Sequence, residues 1–145
     1  MIKTFRGLLL NGQVNRIRLS TKKGKVGYRI KKFEVISHKP GADEYEATVT
    51  VNKVSFTPLS NIDLSDGNVL AVAYWHGYYS TNEPQTGHKI IFEQEIFNQD
   101  IFVGLADRQS QEMNYYLELE TMPLTDNAAS VSTLRDIRLN PQVGG

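Results

Sequence analysis

The sequence predicts an all-β domain, an antiparallel β-sandwich of jelly-roll type with about eight strands and at most one short helix. Three observations carry that prediction. Apolar and polar residues alternate with a period of two in several short segments, the pattern of strands with one face buried. Turn-forming pairs recur between those segments: Asn11-Gly12, Lys23-Gly24, Pro40-Gly41, Asp66-Gly67, Thr86-Gly87 and Asp126-Asn127. Strands do not alternate with long helical patterns, which argues for a sandwich or barrel over a βα architecture.

The elements follow in chain order. "RIRLS" sets Ile17 and Leu19 against Arg16 and Arg18. "RIRLS-TKKGK-VGYRI" then reads as a hairpin, with Lys22, Lys23 and Lys25 at its tip. Past the tip, Val26, Tyr28 and Ile30 share a face, but the next apolar residues are Phe33 and Val35, so the phase slips at Lys31-Lys32. A β-bulge would absorb that slip and bend the strand; a strand crossing between two sheets is the alternative. "YEATVTV" alternates cleanly, with Tyr45, Ala47, Val49 and Val51 facing one way and Glu46, Thr48 and Thr50 the other. "SDGNVLAVAYWHGYY" has Ser65 or Asp66 as an N-cap and Val69, Val72 and Ala73 at helical spacing, which favours a short helix over a fully buried strand. "HKIIFEQ", "DIFVGLA" and "TLRDIRL" are further strand candidates. "NYYLELE" puts Tyr115, Leu117 and Leu119 opposite Tyr116, Glu118 and Glu120.

At 145 residues the chain is read as one domain, 1–145, able to bury a core without staples. It has no cysteine, which excludes disulfides, thiolate metal sites and a cysteine nucleophile. "MIKTFRGLLLNG" lacks the apolar region and cleavage site of a signal peptide. No stretch approaches the roughly 20 apolar residues of a membrane-spanning helix. The expectation is a protein made in the cytoplasm, with no membrane contact.

Charge is unevenly spread along the chain. Residues 1–39 hold eleven Lys or Arg against Glu34 alone, whereas residues 40–145 hold five basic and fifteen acidic residues. Such separation suggests a contact role. Arg16, Arg18, Lys22, Lys23, Lys25, Arg29, Lys31 and Lys32 are the expected contact residues. Tyr74, Trp75, Tyr78 and Tyr79, with His76 among them, could form a second, aromatic surface of the kind that stacks on sugars or bases.

Motifs for catalysis do not stand out. His38, His76 and His88 lack zinc-site spacing, there is no GxSxG elbow, and "KKGKVG" has no Walker pattern. Asp43, Glu44 and Glu46 sit in a turn, and Glu118 and Glu120 sit on the polar face of a strand, so solvation explains both groups better than glycosidase chemistry. "DLSDGN" is too short for an EF-hand loop. No enzyme, metal or cofactor is expected.

"KTFRGLLLNGQVNRIRLSTKKGKVGYRIKKF", "LSDGNVLAVAYWH", "IIFEQEIFNQDIFV" and "NYYLELETMPLTDNAASVSTLRDIR" together resemble small structural proteins of marine bacteriophages. The resemblance implies a virion component, a minor capsid, cement or decoration subunit or a tail or vertex piece, whose partners are other copies of itself and the major capsid or other virion proteins. Two rivals remain from the residues themselves. A nucleic-acid-binding β-domain would use the basic stretch on phosphates, although a neutral chain is unusual for one. A carbohydrate-binding module would use the aromatic cluster.

Overall fold

Strand formation starts from the alternation. Tyr45, Ala47, Val49 and Val51 are all fully buried, as are Leu105, Leu117 and Leu119. The computed structural model describes residues 1–20, 24–41, 44–77 and 86–125, which form eight strands and no helix. They are β1 (Ile2–Leu9), β2 (Val14–Ile17), β3 (Val26–Ser37), β4 (Tyr45–Asn52), β5 (Val69–Gly77), β6 (Thr86–Ile91), β7 (Ile101–Asp107) and β8 (Met113–Pro123). One sheet has the order β1-β8-β3 and the other β2-β7-β4-β5-β6, with every neighbouring pair antiparallel. The candidate strand "TLRDIRL" lies outside the described residues.

This order is the nested pairing of a jelly roll, in which first meets last, second seventh, third sixth and fourth fifth. Three of those pairs are full ladders here: β1·β8, β2·β7 and β4·β5. The remaining pair is displaced. β6 continues from β5 as a ladder, and β3 meets the segment between β6 and β7 through the bridge Tyr28↔Phe97, with N–H···O bonds of 2.8 and 3.0 Å. An ion pair from Lys89 on β6 to Glu34 on β3 links the two sheets along that side. Between the sheets one continuous core joins Leu9, Phe33, Leu117 and Leu119 to Val49, Ala71, Val103 and Leu105.

The bulge expected from the phase slip is present. Ile30 pairs with Leu119 and Lys32 with Glu118, leaving Lys31 as the extra residue. It returns Phe33 and Val35 to the face that already carries Tyr28 and Ile30, all four of which are buried.

Two expectations are corrected. The segment 65–75 is no helix: Val69–Gly77 is strand β5, hydrogen-bonded on both sides, to β4 and β6. Its apolar run reflects a strand covered on both faces, because residues 53–66 lie over the outer side of this sheet. Thr48 Oγ1 donates to the Ser60 carbonyl there at 3.4 Å, and a Cβ on Gly104 would come within 2.7 Å of the Phe56 ring. The second correction concerns the hairpin. β2 pairs with β7 and β3 with β8, so the basic stretch crosses from one sheet to the other. Asp100, at the start of β7, fixes the chain leaving β2 by accepting from the N–H groups of Leu19 (2.7 Å) and Ser20 (2.8 Å).

Candidate interaction surfaces

β8 is the middle strand of its sheet, so its polar face lies between β1 and β3. Registers place Arg29, Glu120 and Ile2 in one row across the outer face, then Lys32, Glu118 and Thr4, then Glu34, Tyr116 and Arg6, then Ile36, Asn114 and Leu8. Opposite charges meet in the first two rows. Arg29 binds Glu120 Oε2 through Nε at 2.9 Å and a terminal nitrogen at 2.8 Å, and the bulged Lys31 reaches the same oxygen at 3.8 Å. The Arg29 hydrogen bond, helped by the charges of Arg29 and Lys31, holds the Glu120 carboxyl below its ordinary range. Lys32 lies 5.9 Å from the Tyr116 ring centroid, and the Tyr116 hydroxyl donates to Glu118 Oε1 at 2.8 Å. That bond raises the Tyr116 pKa, since a phenolate there would lose it and face a carboxylate.

Ile36 (57% exposed), Ile2 (49%) and Leu8 (37%) stand in the end rows of this face, which no described element covers. The surface is mixed in charge and bordered by aliphatic side chains.

Arg16 is engaged elsewhere. Its Nε and a terminal nitrogen contact Asp100 Oδ2 at 2.7 and 2.6 Å. Burial would push the Asp100 carboxyl up, but the N–H groups of Ser20 and Leu19 and the Arg16 guanidinium hold it down to about 2. Arg18 and Lys25 are exposed, and Lys22 and Lys23 lie outside the described residues. The structure therefore brings Arg29, Lys31 and Lys32 together on one sheet face and leaves Arg16 on the other sheet, tied to β7.

Tyr74 and Trp75 occupy opposite faces of β5, as neighbours in a strand must. Tyr74 is on the outer face, stacked on His76 at 6.3 Å, with its hydroxyl 3.4 Å from Glu46 Oε1. Trp75 packs against the core, and its Nε1 is buried without a hydrogen-bond partner. Tyr78 and Tyr79 lie outside the described residues.

A groove of about 360 Å³ on the outer side of the five-stranded sheet is lined by Phe56, Leu59, Ile62, Leu64 and Val72, with Asn52 and Asp63 among its polar residues. Asp63 is used locally, accepting from the Ser65 N–H and hydroxyl. Among the described residues no three His, Asp or Glu side chains converge as metal ligands would, and no helix is long and apolar enough to cross a membrane.

Sequence reasoning did not single out Asp100 or the pairing role of Glu118 and Glu120. Asp100 has no local signal, since its partners Leu19 and Ser20 are about 80 residues away. Glu118 and Glu120 read as solvated because the pattern of β8 alone says nothing about which strand lies beside it. No protein-family model matches the chain, and no curated protein matches it.

Proposed function

We propose that this chain is a structural subunit of a multi-copy assembly, of the minor capsid, cement or decoration kind found in virion shells, and that it works through protein–protein contacts. Jelly-roll domains serve viral capsids, lectins and cupins alike, so the surface must carry the choice. The observation that carries it is the outer face of the three-stranded sheet, which no other element covers among the described residues. On it Arg29 and Lys31 are paired with Glu120, Lys32 lies against the Tyr116 ring, and aliphatic side chains border them. Charge-matched faces with apolar margins suit a protein partner, which supplies both signs of charge and apolar surface. Phosphates would instead compete with the carboxylates already bound to Arg29 and Lys31.

The test is the native mass of the protein over a salt series, with and without a short DNA oligonucleotide, for the natural chain and for a variant carrying Lys22→Glu, Lys23→Glu and Lys25→Glu. Association that weakens with salt, ignores DNA and is reduced in the variant is expected. A monomer that binds DNA and releases it as salt rises would replace this reading with the nucleic-acid one.

A further inference from the structure

β1 is an edge strand with eight residues in unbroken register against β8 and nothing described on its other side. The phase of its hydrogen bonds follows from one contact: the Thr121 N–H donates to the Met1 carbonyl at 2.8 Å. Met1 and Thr121 thus form a hydrogen-bonded pair, and pairs of that kind alternate along an antiparallel ladder. Lys3, Phe5, Gly7 and Leu9 therefore bond to β8, while Ile2, Thr4, Arg6 and Leu8 aim their N–H and C=O groups outward. Among the described residues no backbone hydrogen bond outside the ladders satisfies these four. Natural edges are usually protected by proline, bulges, short length or clustered charge. β1 has none of the first three, and its only charges are Lys3 and Arg6.

The residues on this edge are complementary to themselves. We infer that two copies of the chain pair through β1, antiparallel about a two-fold axis at Phe5, to give a continuous sheet of order β3-β8-β1-β1-β8-β3. In this register Ile2 lies opposite the partner copy's Leu8, Thr4 opposite its Arg6, Lys3 opposite its Gly7, and the two Phe5 residues face each other. The four outward residues of each copy all fall in hydrogen-bonded pairs, giving about eight new interstrand bonds. Exposed aliphatics cover exposed aliphatics, no cation opposes a cation, and the Phe5 pair is of the closely spaced, non-hydrogen-bonded type that favours aromatic contact. Neighbouring registers are poorer. Centring on Arg6 sets guanidinium against guanidinium, and centring on Thr4 sets Ile2 against Arg6 and Lys3 against Phe5. A two-fold contact of this kind is closed, so it yields a dimer rather than a fibre.

This contact names one partner within the assembly reading above, on a different surface from the basic stretch. Main-chain and apolar contacts resist salt, so the dimer should outlast the salt-sensitive association. Thr4→Pro removes an outward N–H and no bond to β8, and Leu8→Lys places a charge opposite Ile2. Each should raise the concentration at which dimers form by at least about tenfold, while the β-sheet circular dichroism of the monomer is retained. The chain has no cysteine, so Phe5→Cys offers a second readout: it should oxidise to a disulfide-linked dimer far faster than Leu10→Cys. A protein that is monomeric at high salt up to 100 µM by sedimentation (an order-of-magnitude limit set by mass action), or a dimer unaffected by Leu8→Lys and not linked through Phe5→Cys, overturns the pairing. Salt-sensitive species without a salt-resistant dimer that Leu8→Lys abolishes would sink the β1 contact and leave the assembly reading standing. A β1 dimer that never grows further would do the reverse.

Discussion

Replacing Asp100 with asparagine removes the charge that fixes the crossing between the two sheets and keeps the size of the side chain. In the folded protein the carboxylate accepts from the Leu19 and Ser20 N–H groups and binds the Arg16 guanidinium, with only 9% of the side chain exposed. Its pKa falls from 3.8 to about 2 despite burial, which works in the opposite direction. At about 1.36 kcal/mol per pH unit, that gap corresponds to about 2 kcal/mol of stability carried by the ionised form. Because the folded pKa is the lower one, the unfolded chain binds the extra proton between pH 4 and pH 2. The contribution is complete above the unfolded value and disappears as pH falls through the folded one.

Asparagine can keep an acceptor toward Leu19 and Ser20, but it then turns its NH₂ group toward Arg16 and loses the charge-assisted part of every bond. The expected loss at pH 7 is therefore about 2 kcal/mol, and up to about 3 if the guanidinium is left without a partner. Urea unfolding at pH 7 measures the first quantity as a lowered midpoint with an unchanged slope. Repeating it at steps from pH 5 to pH 2 measures the second: the natural protein should lose stability over that range more steeply than the variant, and the two curves should converge. A variant as stable as the natural protein at pH 7, with the same acid profile, would refute the role assigned to Asp100.

Substitutions at two further sites probe pairing and packing by the same assay. Lys53, whose side chain is 2% exposed, binds Glu95 at 2.6 Å; Glu95→Ala should cost about 3 kcal/mol or more by leaving a buried ammonium without that carboxylate, whereas Lys53→Met should cost clearly less. Gly104→Ala would place a Cβ 2.7 Å from the Phe56 ring, for an expected loss of about 1–3 kcal/mol that Phe56→Leu should partly recover in the double variant.

The parts of the fold that could be read from the sequence are those whose information is local. The faces of β4 and β8 follow from their own alternation, and the bulge at Lys31 follows from a phase slip within five residues. What could not be read depends on distant partners. The run from Val69 to Ala73 is apolar at every position because residues 53–66 cover the sheet's second face, and nothing within the run distinguishes that from a helix. β1 escaped detection for the opposite reason. Lys3 and Gly7 interrupt its inner face, and Ile2 and Leu8 interrupt its outer one, so the period of two is blurred. The supposed hairpin failed on energetics rather than pattern: Lys23-Gly24 is a sound turn signal, but the buried carboxylate of Asp100 holds Leu19 and Ser20 on the other sheet.

The same nesting explains why a formally neutral chain concentrates its cations near one end. A jelly roll folds its first strands against its last, so charge separated along the sequence is brought together in space. Arg29 and Lys31 meet Glu120, Lys32 meets the Tyr116 ring beside Glu118, and Arg16 meets Asp100. These four cations are thereby matched within the fold, and their charge is not available to attract a distant partner at full strength. The segregation that suggested a strongly polar molecule is therefore in large part a record of strand pairing. The outer face of the three-stranded sheet and its β1 edge would contribute hydrogen bonds and apolar surface to a partner.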